Sequence, residues 1–191
     1  MKKASILLIV LLYSSTMFSQ EHTIIDNDSI ISWDTVRKLT WDDFKAVKHP
    51  DEHGLHDSMT TYKLEILPEV VAVDEEDNIH GYEKMDIATY FYKKQSWMVK
   101  RDVNLLIYEQ LHFDIAELFA RMMRRGFAEL KRKKISKFSK YQTVYTDFWR
   151  YCKSYQRQLN EETQNGRIKE AVQQWSDKIY KELEELQEFS R

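Results

Sequence analysis

Apolar and polar residues alternate in two short stretches of the N-terminal half of the chain. Residues 61–66 and residues 85–92 each change character at about every second position. This period is typical of a strand with one face on the core and the other nearer water. Pro68 and the acidic stretch 74–78 separate the two and indicate a turn. We therefore expect an antiparallel pair of strands within a half, residues 30–100, that consists of strands and loops.

From residue 102 onward, apolar residues recur at every third or fourth position, which indicates amphipathic helices. Three stripes can be followed: Leu111, Ile115, Leu118, Met122 and Leu130; Phe138, Tyr141, Tyr145, Phe148, Cys152, Tyr155 and Leu159; and Ile168, Val172, Trp175, Ile179, Leu183 and Leu186. Gly126 is expected to weaken the first helix locally, and Asn165–Gly166 indicates a turn between the second and third. The pattern predicts an α+β fold, with a small antiparallel β-sheet packed against three long helices.

The first twenty residues have the features of a signal peptide. Lys2 and Lys3 precede an unbroken apolar run over residues 6–12, which is too short to span a bilayer as a stable helix. We predict cleavage next to Gln20, a periplasmic or secreted protein, and a single domain over residues 21–191. An uncleaved N-terminal anchor is the alternative. After cleavage the chain is not expected to be an integral membrane protein.

Charge and cysteine content add two constraints. The formal net charge of −2 is close to balanced, so no global field favours nucleic acid or an acidic membrane as a partner. Cys152 is the single cysteine of the chain, and it lies on the second apolar stripe. It forms no internal disulfide and no thiolate metal site alone, so we expect a small core residue.

A candidate catalytic motif lies in the first predicted helix. Zinc peptidases commonly carry HExxH, in which two His four residues apart bind Zn²⁺ and the Glu acts as general base on the metal-bound water. Here Glu109 and His112 have the required spacing, but Tyr108 occupies the first His position. Because ExxH occurs in many ordinary helices, this string alone favours a structural role for His112.

Four separated strings place this helix in a wider context. They are LTWDDFK at 39–45, Ser96–Trp97, LLIYEQLHFDIAE at 105–117, and LNEETQNG at 159–166 with Trp175 after it. In this order they resemble a family of exported bacterial proteins of unknown function with predicted zinc-dependent protease activity. The resemblance covers about residues 37–180. It implies a fold like that of zincin metallopeptidases, with zinc as the cofactor of the family.

The departures from the family's pattern fall on its expected zinc ligands. The resemblance places one ligand His at Tyr108 and another at Asn165, so that only His112 remains. A catalytic zinc normally has three protein ligands and one water, and a phenol or an amide is a poor replacement for imidazole. The resemblance therefore implies a degenerate member that holds no zinc, with Glu109 as a vestigial general base. Such a protein is expected to bind an unidentified protein or peptide in the cell envelope.

Two alternatives start from other charged stretches. His49, His53 and His56 would complete an unorthodox zinc site of an active metallopeptidase, although the lack of helical spacing favours a solvated loop. Residues 121–140 carry nine Lys or Arg and one Glu. A structural or interaction protein that uses this stretch and the acidic C-terminal helix is the other alternative, with a solvated helix face as the default interpretation.

Overall fold

The computed structural model describes residues 24–48 and 57–191. The predicted signal peptide, residues 1–20, and the histidines at 49, 53 and 56 lie outside the described residues. The strands are β1 (Ile30–Ser32), β2 (Ser58–Met59), β3 (Tyr62–Leu67), β4 (Asp86–Tyr92) and β5 (Trp97–Met98), and the long helices are α1 (Val103–Arg132), α2 (Phe138–Thr163) and α3 (Lys169–Glu185). The predicted α+β class, with a small antiparallel sheet and three long helices, is confirmed.

The larger sheet has the order β1–β4–β3, and all its pairs are antiparallel. On β3 the alternation behaves as expected, because Leu64 is buried and its neighbour Lys63 is exposed. On β4 the prediction that one face lies nearer water is wrong. Ala88 and Tyr90 are buried there as well as the residues that alternate with them, since this central strand carries apolar side chains on both faces. Strands β2 and β5 form a separate two-stranded pair.

Helix α1 occupies the centre of the molecule and contacts the sheet, α2 and α3. Asp102 begins the helix: its side chain accepts hydrogen bonds from the backbone N–H groups of Asn104 and Leu105, at 2.9 and 3.3 Å. Farther along, Leu111, Ile115 and Leu118 are fully buried, as the first stripe predicts. Within the described residues, no helix has the length and apolar character needed to cross a membrane.

Helix α1 continues without a break through Gly126. A Cβ atom at this position would lie 2.7 Å from Val144 Cγ1 on α2, closer than real Cβ contacts. The glycine therefore permits a close approach of two helices, and this packing compensates for its poor helix propensity. The predicted turn between α2 and α3 is also present, with positive φ angles at Gln164, Asn165 and Gly166.

The substitution Gly126→Ala is expected to lower the free energy of unfolding by about 1–3 kcal/mol, since Val144 is β-branched and cannot easily turn aside. Urea denaturation measures the change. The double variant Gly126→Ala/Val144→Ala removes the opposing methyl groups and should cost less than the two single changes added together. A single Gly126→Ala variant that is more stable than wild type would show that helix propensity decides at this position instead.

Candidate functional site

A cavity of about 670 Å³ lies between strands β2 and β5, the first turns of α1, and the turn that joins α2 to α3. Glu109, His112, Tyr108 and Asn165, the four site residues predicted from the sequence, all line it. These residues come from two strings that are about fifty positions apart in the chain. The volume is within the range of roughly 300–1,000 Å³ that small-molecule sites occupy.

The side chain of Tyr108 takes part in the contact between helices α1 and α2. Its hydroxyl donates to Asn160 Oδ1 on α2 at 2.7 Å. Its ring packs on Gly166 so closely that a Cβ there would lie 2.7 Å from Tyr108 Cγ. Burial, with the nearby Glu109 carboxylate, raises the pKa of the phenol well above its usual range. Tyr108 is therefore a neutral hydrogen-bond donor at the position where the resemblance places a metal-binding imidazole.

His112 is held in the same way by Gln156 of α2. The amide Nε2 of Gln156 donates to the backbone carbonyl of His112 at 2.8 Å. The amide Oε1 therefore faces His112 Nδ1, with which it is in contact. Because an amide oxygen only accepts, Nδ1 carries the proton, and the lone pair of the neutral ring is on Nε2. The ring also packs edge-on against Tyr108, with the two ring centroids 4.7 Å apart.

These two side-chain contacts, Tyr108 with Asn160 and His112 with Gln156, form what we call the polar ladder between α1 and α2. From the first contact to the second, the residue number rises by four on α1 and falls by four on α2. The contacts are therefore on successive turns of two antiparallel helices. The polar ladder joins the helices with hydrogen bonds where the resemblance expects a metal.

Glu109 is 2% exposed, and within the described part of the chain only one of its two carboxylate oxygens accepts a hydrogen bond. Ser58 Oγ donates to its Oε1, and Thr60 Oγ1 donates to its backbone carbonyl at 3.3 Å. Its Oε2 has no hydrogen-bond partner among residues 24–48 and 57–191, and neither has Nε1 of the buried Trp97 in the same cavity wall. An unpaired buried polar atom costs roughly 1–3 kcal/mol, so both atoms are exceptions that require a reason.

The ligands around His112 do not fit zinc in the part of the chain that the structure describes. Within that part, no group of three or more His, Cys, Asp or Glu is placed to hold a metal ion. At the two other positions where the resemblance expects a ligand, the cavity has the protonated phenol of Tyr108 and the amide of Asn165. Neutral phenol and amide groups do not make the closed or open tetrahedral sites that zinc prefers in proteins.

Two further acids of the string 105–117 serve the fold rather than the cavity. Asp114 is fully buried, and its Oδ1 accepts hydrogen bonds from Trp33 Nε1 at 2.7 Å and from Gln110 Nε2 at 2.8 Å. Burial raises the pKa of Asp114 above its usual range. The other end of Gln110 accepts from the backbone N–H of Leu39 at 2.8 Å. The string 39–45 is thus docked directly on the motif helix.

The second of these acids, Glu117, is the centre of a buried charge cluster that the sequence analysis missed. It accepts from Arg121 Nε at 3.0 Å, from Thr89 Oγ1 at 2.8 Å, and from Arg124. Both arginines are buried, so the default interpretation of residues 121–140 as a solvated face is wrong for these two. The signal was their helical spacing of four and seven residues from Glu117.

The remaining site prediction concerned Cys152. The side chain is fully buried on α2, and burial raises the pKa of its thiol to about 11. A thiol that is both inaccessible and protonated is neither a nucleophile nor a metal ligand at neutral pH. The prediction of a small core residue is confirmed.

Comparisons with protein-family models, with curated proteins and with solved structures find no match to this chain. The resemblance to zinc-dependent proteases therefore stays a prediction. The function has to be argued from the cavity and its residues.

Proposed function

We propose that this chain is an exported peptidase-like binding protein that has lost hydrolytic activity and takes a peptide, or a segment of a protein, into the cavity beside Glu109 and His112. The observation that carries this proposal is the cavity itself. Residues from separate strings of the resemblance, Trp97, Tyr108 and Asn165 among them, converge on one concave surface. A concave site lined by apolar residues and a few polar groups is the usual form of a binding site.

The polar ladder supports the loss of hydrolysis. The phenol of Tyr108 and Nδ1 of His112 are both engaged with α2. Tyr108 therefore supplies no imidazole, and the single imidazole of His112, with its lone pair on Nε2, does not by itself make the three-ligand site that would acidify a water molecule for Glu109. The side chains that remain can recognise a peptide by hydrogen bonds and apolar contact.

An active metallopeptidase with unorthodox ligands is the second candidate. One observation favours it: Lys48 and Asp57, which line the cavity, are the residues adjacent in sequence to the stretch that holds His49, His53 and His56. Zinc content separates the two candidates. The purified protein, prepared without a metal-binding tag and dialysed against trace zinc, is expected to retain far less than one zinc per chain by elemental analysis. About one zinc per chain that is lost in His112→Ala would overturn our proposal in favour of the metallopeptidase.

Peptide binding is tested with a pool of synthetic random decapeptides passed over the immobilised mature protein, with the bound fraction identified by mass spectrometry. We expect a reproducible subset of sequences to be enriched. The variant Met59→Trp should lose the enrichment, since Met59 lines the cavity and a larger side chain fills it. Val36→Trp is the matched control, because Val36 is 86% exposed and is not among the cavity residues. Equal enrichment by both variants would place peptide binding outside the cavity and overturn the proposal.

A further inference from the structure

The cavity wall contains a donor and an acceptor that lack partners in the described part of the chain. They are Trp97 Nε1 and Glu109 Oε2, and their side chains are 5% and 2% exposed. Folded proteins pair nearly all such atoms, with protein groups, with water or with a ligand. Both residues line the same cavity. Two complementary unpaired atoms in the lining of one cavity indicate a ligand that brings an acceptor and a donor.

Glu109 differs from the other acids of the cavity because one of its carboxylate oxygens lacks a hydrogen-bond partner in the described residues. Asp57 pairs with Lys100 at 2.6 Å, and Asp102 is occupied by the N–H groups of the first turn of α1. Among residues 24–48 and 57–191, only the hydroxyl of Ser58 donates to the carboxylate of Glu109, on one oxygen. Because hydrogen bonds to an ionised acceptor are strongest when the donor is also charged, a cationic donor satisfies the second oxygen best.

The β2–β5 pair contributes to the cavity with both of its faces. Met59 of β2 is paired with Trp97 of β5, so these two side chains share one face, and Ser58, whose side chain is directed to the other face, contacts Glu109. The Trp97 ring already has a cation near it, with Lys48 Nζ 5.1 Å from the ring centroid. A cation near the ring favours an acceptor group of the ligand, rather than a second cation, beside Trp97.

We infer that the cavity recognises a primary ammonium group of its ligand through Glu109 Oε2, while a carbonyl oxygen at another point of the ligand accepts from Trp97 Nε1. This inference rests on the proposed function, because it names the chemical feature that a bound peptide has to present. An ammonium group on a peptide comes from its N-terminus or from a lysine side chain. The role assigned to Glu109 is recognition of charge, with no proton transfer.

The first test uses the peptides enriched from the random pool, resynthesised with the N-terminus free or acetylated and with each lysine free or acetylated. Binding to the wild-type protein is measured by fluorescence anisotropy. Acetylation at the recognised position is expected to weaken binding at least roughly 30-fold, because it removes one partner of a buried charged hydrogen bond. The position at which acetylation has this effect tells whether the N-terminus or a lysine is bound. Peptides that bind equally well in every acetylated form would overturn the inference.

The second test is Glu109→Gln, which keeps an acceptor for Ser58 and removes the charge. This variant should bind the free and the acetylated peptides with similar affinity, so that the 30-fold difference disappears. Its melting temperature without peptide should equal or exceed that of wild type, because an unpaired buried charge is removed. Glu129→Gln, a change of an exposed acid on the same helix, is the control that should keep the full difference.

A Glu109→Gln variant that still prefers the free ammonium would overturn the inference and assign the preference to another group. The failure of the inference is distinguishable from the failure of the proposed function. Enrichment of peptides without any preference for an ammonium group contradicts only the inference. The absence of enrichment, or enrichment that survives Met59→Trp, contradicts the proposed function and the inference with it.

Discussion

The variant Glu117→Ala is expected to lose about 3–5 kcal/mol of folding free energy, the largest effect we predict for a single substitution. Glu117 is 3% exposed, and the guanidinium groups of Arg121 and Arg124 that it pairs with are also buried. Removal of the carboxylate leaves two buried positive charges without their counter-ion, and neither can reach water without a rearrangement of the core. Urea denaturation followed by circular dichroism measures the loss.

The matched control is Glu129→Ala. Glu129 is on the same helix and also pairs with an arginine, at 2.8 Å, but the side chains of Arg132 and Glu129 are 71% and 45% exposed. Solvent already screens this pair, so the midpoint of urea denaturation should stay at the wild-type value. If Glu117→Ala and Glu129→Ala shift the midpoint equally, burial does not determine the strength of these ion pairs, and the charge cluster is not a major source of stability.

Introduction of two histidines is expected to create zinc binding. The double variant Tyr108→His/Asn165→His places imidazoles at the two positions where the resemblance expects ligands, and both positions line the cavity beside His112. Three imidazoles make a far better zinc site than one, so the affinity for zinc should rise by roughly two orders of magnitude or more. Competition against a zinc-sensitive dye measures the affinity.

The same double variant without zinc should be less stable than wild type by about 1–3 kcal/mol, because it loses the hydrogen bond of Tyr108 to Asn160 and the packing of the ring on Gly166. Zinc should restore this stability through binding to the folded state. The triple variant that adds His112→Ala is the control, and it should not gain zinc binding. A double variant with wild-type zinc affinity would contradict the proposal that residues 108 and 165 correspond to zinc-ligand positions.

Periodicity predicts the helices of this protein well. The stripe of α2, for example, places Tyr141, Cys152 and Leu159 in the core, and all three are fully buried. The same method fails for Arg121 and Arg124, because a sequence pattern counts an arginine as a surface residue unless its counter-ion is known. Burial of those side chains depends on Glu117 and on how α1 packs against the sheet. The hydrophobic period of a helix, about 3.6 residues, predicts neither.

The candidate site was predictable as a set of residues but not as an arrangement. The ExxH spacing is a local feature that leads to Glu109 and His112, and the resemblance over separated strings leads to Tyr108 and Asn165. The polar ladder requires the register of α2 against α1, which no local pattern specifies. Strands β2 and β5 are only two residues long each. They are too short to show a period of two, although they form one wall of the cavity.

The charge cluster around Glu117 also couples the unfolding of two elements, β4 and α3. Arg124 donates to the backbone carbonyl of Ile87 on β4 at 2.9 Å, and Arg121 donates to that of Leu183 on α3 at 2.6 Å. One set of side chains on α1 thus joins the sheet to the last helix. Separation of either β4 or α3 from α1 exposes the charge cluster and weakens its contact with the other element. The two elements should therefore unfold as one cooperative unit. Amide hydrogens of β4 and α3 are then expected to exchange with solvent at a common free energy of opening.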